Sequence, residues 1–186
     1  MQTNCQEAET ISPEYAAEQA RMHEKYNYGT ASLQWAATVA NIINAFEIKS
    51  VLDHGAGRGN LIKALAQFEF PVVEFQMYEP AMPQWSAKPD PAELVCSIDV
   101  AEHVEPEFTE NYLDELQRLT QKIIFITIHC GPAKKVLSDG RNAHLVQKPP
   151  AWWIPKLLAR FDLIECRTTP GGFVFMGRSQ TMAKDH

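Results

Sequence analysis

Ile48-Lys49-Ser50-Val51-Leu52-Asp53-His54-Gly55-Ala56-Gly57-Arg58-Gly59-Asn60-Leu61-Ile62 carries the pattern that decides the fold. The apolar run 48–52 reads as a strand, the alternating glycines as a tight turn, and 60–67 as a helix. Glycine has no Cβ and tolerates positive φ, so the backbone after Asp53 can approach a ligand closely. The loop is therefore a candidate nucleotide site. Glu79 adds to it: twenty residues beyond Gly59, at the end of the next apolar run, an acidic side chain can accept both hydroxyls of a ribose. The plain alternative is a strand-to-helix turn with Glu79 in solvent. A dinucleotide would call for GxGxxG, its pyrophosphate resting on the helix N-terminus. Here the spacing is GxGxG, and Asp53 stands directly before the loop, where a carboxylate repels a pyrophosphate and suits a ligand bearing an ammonium group.

Upstream, Leu33, Ala36, Val39, Ala40, Ile43 and Phe46 recur at three- and four-residue steps and predict an amphipathic helix from Ser32. Residues 1–30 are polar and read as a peripheral, loosely helical lead-in ending at the turn-like Tyr26-Asn27-Tyr28-Gly29. Downstream, 72–78 and 93–98 predict strands. Phe108, Tyr112, Leu116 and Leu119 mark a helix face with Glu105 and Glu107 near its N-terminus. The β-branched run 122–128 fits a strand buried on both faces. Residues 130–150 form a polar, substrate-side loop; Trp152, Trp153, Leu157, Leu158 and Phe161 suggest a last helix. Strands at 162–168 and 172–178 are joined by the hairpin turn Pro170-Gly171-Gly172. The expected architecture is one α/β domain over 1–186. Its Rossmann-like, doubly wound, mostly parallel sheet has seven strands, or six, and ends in an antiparallel C-terminal hairpin strand. Pro80, Pro83, Pro89 and Pro91 crowd the stretch where such a fold would place a helix and a strand, so an irregular connection is predicted there.

A chain of 186 residues, 45% hydrophobic, suffices for one domain with a real core. Seventeen basic and 23 acidic side chains give a net charge of −6, with no basic stripe, which disfavours a nucleic-acid partner. Cys5, Cys96, Cys130 and Cys166 show no metal or disulfide spacing and read as reduced, mostly buried thiols. The first nineteen residues lack a basic n-region and an apolar core, and no window reaches the roughly 18 apolar residues of a membrane span. A cytoplasmic location is expected, with no membrane partner.

The segments VLDHGAGRG (51–59), MYEP (77–80) and SIDVAEHVEP (97–106), in this order, resemble the motifs of class I S-adenosylmethionine-dependent methyltransferases. The resemblance spans about residues 26–130. It implies that Asp53, Gly55, Ala56, Gly57 and Gly59 hold the methionine end of S-adenosylmethionine, that Glu79, followed by Pro80, holds the ribose, and that the Cys96–Asp99 region, Asp99 included, lies on the adenine side. It further implies that Tyr28 lines the cofactor.

Asp99, Glu102 and His103 form a DxxEH element at the carboxyl end of a strand, where open α/β sheets bind ligands. Two carboxylates and an imidazole suit a hard or borderline divalent cation such as magnesium. The element resembles the ExxEH of ubiquinone-pathway O-methyltransferases and small-RNA 3′-terminal 2′-O-methyltransferases, with Asp99 one methylene shorter than their Glu. In the latter a further histidine precedes an aromatic helix, as His144 precedes Trp152-Trp153 here. The resemblance thus implies Asp99, Glu102, His103 and His144 as metal ligands. The metal-free alternative pairs Glu102 and His103 with neighbours and leaves His103 or His144 as general base. His129 follows a strand and reads as structural, and Arg141 and Asn142 as groups that could orient an acceptor. The function expected is methyl transfer to O or N of a small polar acceptor molecule. The alternatives are metal-assisted 2′-O-methylation of RNA and a non-catalytic S-adenosylmethionine-binding module.

Overall fold

The structure, a computed structural model, describes residues 8–25 and 30–180. Its sheet contains β1 (Ser50–His54), β2 (Glu74–Tyr78), β3 (Ala92–Ile98), β4 (Thr120–His129), β5 (Phe161–Thr169) and β6 (Gly172–Ser179), ordered β2-β1-β3-β4-β6-β5. The first four strands are parallel. β6 lies antiparallel between β4 and β5, which makes the C-terminal hairpin. Six strands, not seven, form among the described residues. Between β2 and β3 the chain makes only a 3-10 turn at Pro83–Trp85, because prolines cannot donate to a ladder and the spacing leaves no room for a helix.

β4 shows why its apolar run is continuous. Ile124, Ile126 and Ile128 pack on one face with Leu113 and Leu116 of α4 (Thr109–Leu119) and Trp153 and Leu157 of α5 (Pro150–Leu158). Ile123 and Phe125 pack on the other with Val39 and Ile43 of α2 (Ala36–Ala45) and Leu61 and Leu65 of α3 (Asn60–Leu65). Alternate residues of one strand thus serve two helical layers. The helix expected from Ser32 opens as a 3-10 turn over Ala31–Trp35, and Leu33 is exposed. Phe161 begins β5 instead of ending the last helix. Cys96 is buried, Cys130 half-buried and Cys166 exposed on the edge strand; Cys5 lies outside the described residues. Among the described residues no helix is long and apolar enough to cross a membrane.

The described part of the N-terminal lead-in, from Ser12 onward, packs on the rest of the chain. α1 (Pro13–Lys25) starts at Ser12, whose Oγ accepts the N–H of Tyr15 at 3.1 Å, with proline at the first helical position. Ser12 also donates its N–H and O–H to the Glu105 carboxylate at 2.8 and 2.7 Å. Glu18 accepts the N–H and O–H of Ser138, both at 2.8 Å. Tyr15 and Met22 pack with Leu137 and Ala143 of the 130–150 loop. These contacts lay α1 across the carboxyl edge of the sheet.

Candidate active site

β1 has β2 on one side and β3 on the other, so the chain reverses its winding there and opens a crevice at the strands' carboxyl ends. Asp53 pairs in register with Met77 and Cys96. The loop after it folds onto the end of β2, where Gly55 and Ala56 donate their N–H groups to Tyr78 O at 2.9 and 3.0 Å. Gly55 has φ +83°, and a Cβ there would stand 2.5 Å from Val100 Cγ2, so only glycine fits. Gly59, at φ +68°, caps α3 with its Cα against Met77 and does not face the crevice.

Three acids line the crevice. Asp53 is 3% exposed, and its Oδ2 has no hydrogen-bond partner among the described residues. Burial, and then the charge of Glu79, push its carboxyl up to about 7. Glu79 accepts the Gly57 N–H at Oε2 (3.0 Å) and the Ala81 N–H at Oε1 (3.2 Å), which fixes its carboxylate against the loop. Asp99 sits at φ +52° just beyond β3, held by Thr127, whose Oγ1 donates to Asp99 Oδ1 at 2.6 Å.

A cavity of about 440 Å³ lies between these groups, α1 and the 130–150 loop. Asp53, Gly55, Ala56, Gly57, Glu79, Pro80, Asp99, His103 and His144 all line it; Gly59 and Glu102 do not. Tyr28 lies outside the described residues. Cys96, expected near the adenine side, is buried beneath Asp53 against α2 and α3, while Ile98, Asp99 and Val100 reach the cavity. Arg141 does not reach it and pairs instead with Asp139 at 2.7 Å. The Asn142 amide is used within the loop: its Oδ1 accepts from Ala133 N and His144 N, and its Nδ2 donates to Ala133 O, each at 2.9 Å. Trp153 is core, and Trp152 packs on it edge-on.

Sequence reading missed the contribution of α1. Tyr15, Gln19 and His23, spaced i, i+4, i+8 on one helix face, line the cavity. His23 Nε2 lies 3.9 Å from Glu79 Oε2. The spacing was visible in the sequence, but the face mixes polar and aromatic groups and carries no apolar signature. His54 also lines the cavity, packed between Tyr78 and Tyr112 with its Nε2 3.5 Å from Glu115 Oε1.

At the far end, Glu102, His103 and His144 bring ligand atoms within 4.8 Å of one another. Asp99 stands outside this group. Glu102 is fully buried; its Oε1 accepts the His129 N–H at 2.9 Å and its Oε2 is unpartnered among the described residues. Burial, and then the charge of Asp99, raise its carboxyl well above the usual range. His103 Nδ1 bonds Ala143 O and His144 Nδ1 bonds Gly131 O, both at 2.7 Å. A carbonyl only accepts, so both Nδ1 atoms carry the proton and both Nε2 atoms keep their lone pair. Burial, with His144 next to it, lowers His103 to about 3; burial also lowers His144. His129 packs its ring against Gly171 of the hairpin and Gly131, which accounts for its place.

No protein-family model and no curated protein matches this sequence. Solved structures do. The chain is similar to the Burkholderia thailandensis 1,6-didemethyltoxoflavin-N1-methyltransferase with bound 1,6-didemethyltoxoflavin and S-adenosylhomocysteine, at TM-score 0.63 and 16% identity over 92% of each chain. It is similar to the mitomycin 7-O-methyltransferase MmcR at TM-score 0.62 and 14% identity, over 89% of this chain and 60% of that one. The N-terminal domain of EvdMO1, with SAH bound, aligns at TM-score 0.55 and 13% identity over 92% and 98%. The chain therefore has the Rossmann-like fold of class I S-adenosylmethionine-dependent methyltransferases.

Proposed function

We propose that the protein transfers a methyl group from S-adenosylmethionine to an oxygen or nitrogen of a small polar acceptor. The observation that carries this reading is the buried Asp53 carboxylate with its unpaired Oδ2, set beside the Gly55–Gly57 turn and Glu79 in one cavity. An ammonium group supplies the donor Asp53 lacks, and Glu79 keeps lone pairs for two vicinal hydroxyls. The solved neighbours bound to S-adenosylhomocysteine support the same cofactor class.

S-adenosylmethionine supplies a methyl on a sulfonium, which leaves as S-adenosylhomocysteine when the acceptor attacks. The chain's part is alignment and proton removal. Asp53, the glycine loop and Glu79 orient the donor, and holding the acceptor in line provides much of the rate. The proton lost by the acceptor passes to a histidine Nε2. His144 suits this better than His103, because a base at about 3 takes a proton weakly near neutrality.

A second reading adds a divalent cation at Glu102, His103 and His144. Both imidazoles donate Nδ1–H to carbonyls, as metal-binding histidines do, and Glu102 has an open oxygen. A cation there would lower the pKa of an acceptor hydroxyl. Glu102, far from water, would ionise on binding it.

Calorimetry with S-adenosylhomocysteine tests the first reading, and absence of binding would end it. Activity lost to EDTA and restored by magnesium, manganese or zinc supports the second; indifference to chelation removes it.

A further inference from the structure

Among the described residues β5 pairs only with β6, at the end of the sheet, and residues 162–168 are exposed without a break. Large apolar side chains are part of that exposure. Leu163 is 51% and Ile164 37% exposed, and Leu158, where α5 leads into β5, is 42% exposed. The two-residue turn Pro170-Gly171 makes Thr169 and Gly172 a hydrogen-bonded pair. Alternation along the ladder then turns the backbone N–H and C=O of Cys166 and Thr168 to the open edge.

Register with β6 sorts the side chains onto two faces. Cys166 and Thr168 stand opposite Phe175 and Phe173, on the face that α4 and α5 cover, and Leu163 lies on the same face, two residues after the buried Phe161. Glu165 and Arg167 stand opposite Met176 and Val174, on the other face. Glu165 Oε1 and Arg167 Nε are 3.0 Å apart, and the guanidinium lies over the Trp35 ring, 5.4 Å from its centre.

These positions fit a second copy of the same strand. Two identical strands pairing antiparallel about a two-fold axis set one residue opposite itself. An axis through Glu165 or Arg167 sets like charges against each other, which is destabilising. An axis through Cys166 sets Glu165 of each copy opposite Arg167 of the other. Cys166 is also a residue whose backbone groups face the open edge, so the two copies exchange both N–H···O=C bonds there. Leu158 and Leu163 of both copies then share one face of the continued sheet. A bulge and charged side chains also keep edges from pairing, and the register of β5 shifts between Leu163 and Glu165. Protection alone is served by charge of one sign, however, as with edge lysines. The unlike charges of β5 oppose the neighbouring registers and match this one. The opposite edge, β2, has a different sequence, so the pairing closes at two copies.

We propose that the β5 edge is the interface of a homodimer, in which two copies join their β5 strands antiparallel about Cys166 into one continuous sheet. The proposal does not depend on the methyltransferase reading.

Sedimentation velocity of the full chain tests it, at loading concentrations up to about 100 μM, above the micromolar weak end of standard-size interfaces. A dimer is expected. Glu165→Arg alone, or Arg167→Glu alone, turns both unlike contacts into like ones and should weaken the dimer by about ten-fold or more. The two substitutions together restore unlike contacts and should restore the dimer. Both side chains are about half exposed, so the melting temperature of dilute protein should stay close to that of wild type, which separates loss of the interface from loss of the fold. Bismaleimidoethane should cross-link the dimer through Cys166, and Cys166→Ser should remove that product. A monomer at every concentration, the result expected if another segment of the chain covers β5, would overturn the proposal. So would a dimer indifferent to the single substitutions, a loss that the paired substitution does not restore, or a dimer without the Cys166 cross-link.

Discussion

Gly57 donates its backbone N–H to Glu79 Oε2 at 3.0 Å, so the residue assigned to the ribose also holds the loop assigned to the methionine end. Loss of this side chain removes a charged acceptor from the ligand and from two backbone N–H groups at once. Hydrogen bonds to charged groups contribute about 1.5–3 kcal/mol, or roughly ten- to a hundred-fold in affinity. Glu79→Ala should weaken S-adenosylhomocysteine binding by about that factor in calorimetry and lower the melting temperature. Unchanged affinity would remove the ribose assignment.

The ammonium-binding role proposed for Asp53 would link cofactor binding to pH. Its carboxyl is held up at about 7 by burial and then by Glu79, whereas an ammonium partner requires the ionised form. Affinity for S-adenosylhomocysteine should therefore rise with pH to about 7 and then level, with proton uptake by buffer visible in calorimetry below that point. The stability sign follows from the raised value. The contribution of Asp53 is fully present below its ordinary 3.8 and is lost as pH rises through about 7. Asp53→Asn should flatten the decline in ligand-free melting temperature between pH 5 and 8 and abolish the pH dependence of binding; a slope unchanged in the variant would assign it elsewhere.

What could be read in the sequence is what local chemistry dictates. The GxGxG turn behind Asp53 demanded glycine conformations wherever the chain went next, and the apolar run of β4 demanded two covered faces. The prolines after Glu79 spoke for an irregular connection there and left the strand count at seven or six. The α1 contribution was hidden for the opposite reason. Tyr15, Gln19 and His23 reach the cavity through contacts between distant segments, such as Glu18 with Ser138, 120 residues apart, and no local periodicity encodes those meetings. Arg141 and Asn142 looked like ligand groups by type, but their partners, Asp139 and Ala133, lie within the same loop and satisfy them first.

That Glu18–Ser138 contact gives α1 an acid-sensitive attachment. The Ser138 N–H, Arg21 and the Ser138 hydroxyl hold the Glu18 carboxyl down at about 2. A depressed value means that the contribution is present above the ordinary 4.5 and is lost as pH falls through about 2. Relative to the intrinsic rate at each pH, hydrogen exchange over 13–25 should accelerate below pH 4 while the exchange of β3 and β4 stays slow. Glu18→Gln should show the faster exchange already at neutral pH. Equal protection of α1 in both proteins would show that the apolar contacts of Tyr15 and Met22 suffice.

The two histidines at the end of the cavity separate by their environments. His103 is lowered to about 3 chiefly by burial, and His144 is lowered by burial but opposed by its bond to Gly131 O. If His144 removes the proton, kcat should fall only as pH drops below the ordinary imidazole value of 6.5, because the base must be neutral and its titration is displaced downward. His144→Ala should then lower kcat by about 10²–10⁴ with S-adenosylhomocysteine affinity unchanged. His103→Ala should cost less, since a base lowered to about 3 takes up little of the acceptor's proton near neutrality. A metal held by Glu102, His103 and His144 predicts another pattern. Both alanine variants and Glu102→Gln would then lose activity to a similar degree, together with bound metal measured by elemental analysis. Steady-state rates of the three variants from pH 5 to 8, with and without EDTA, decide between a proton acceptor and a ligand set.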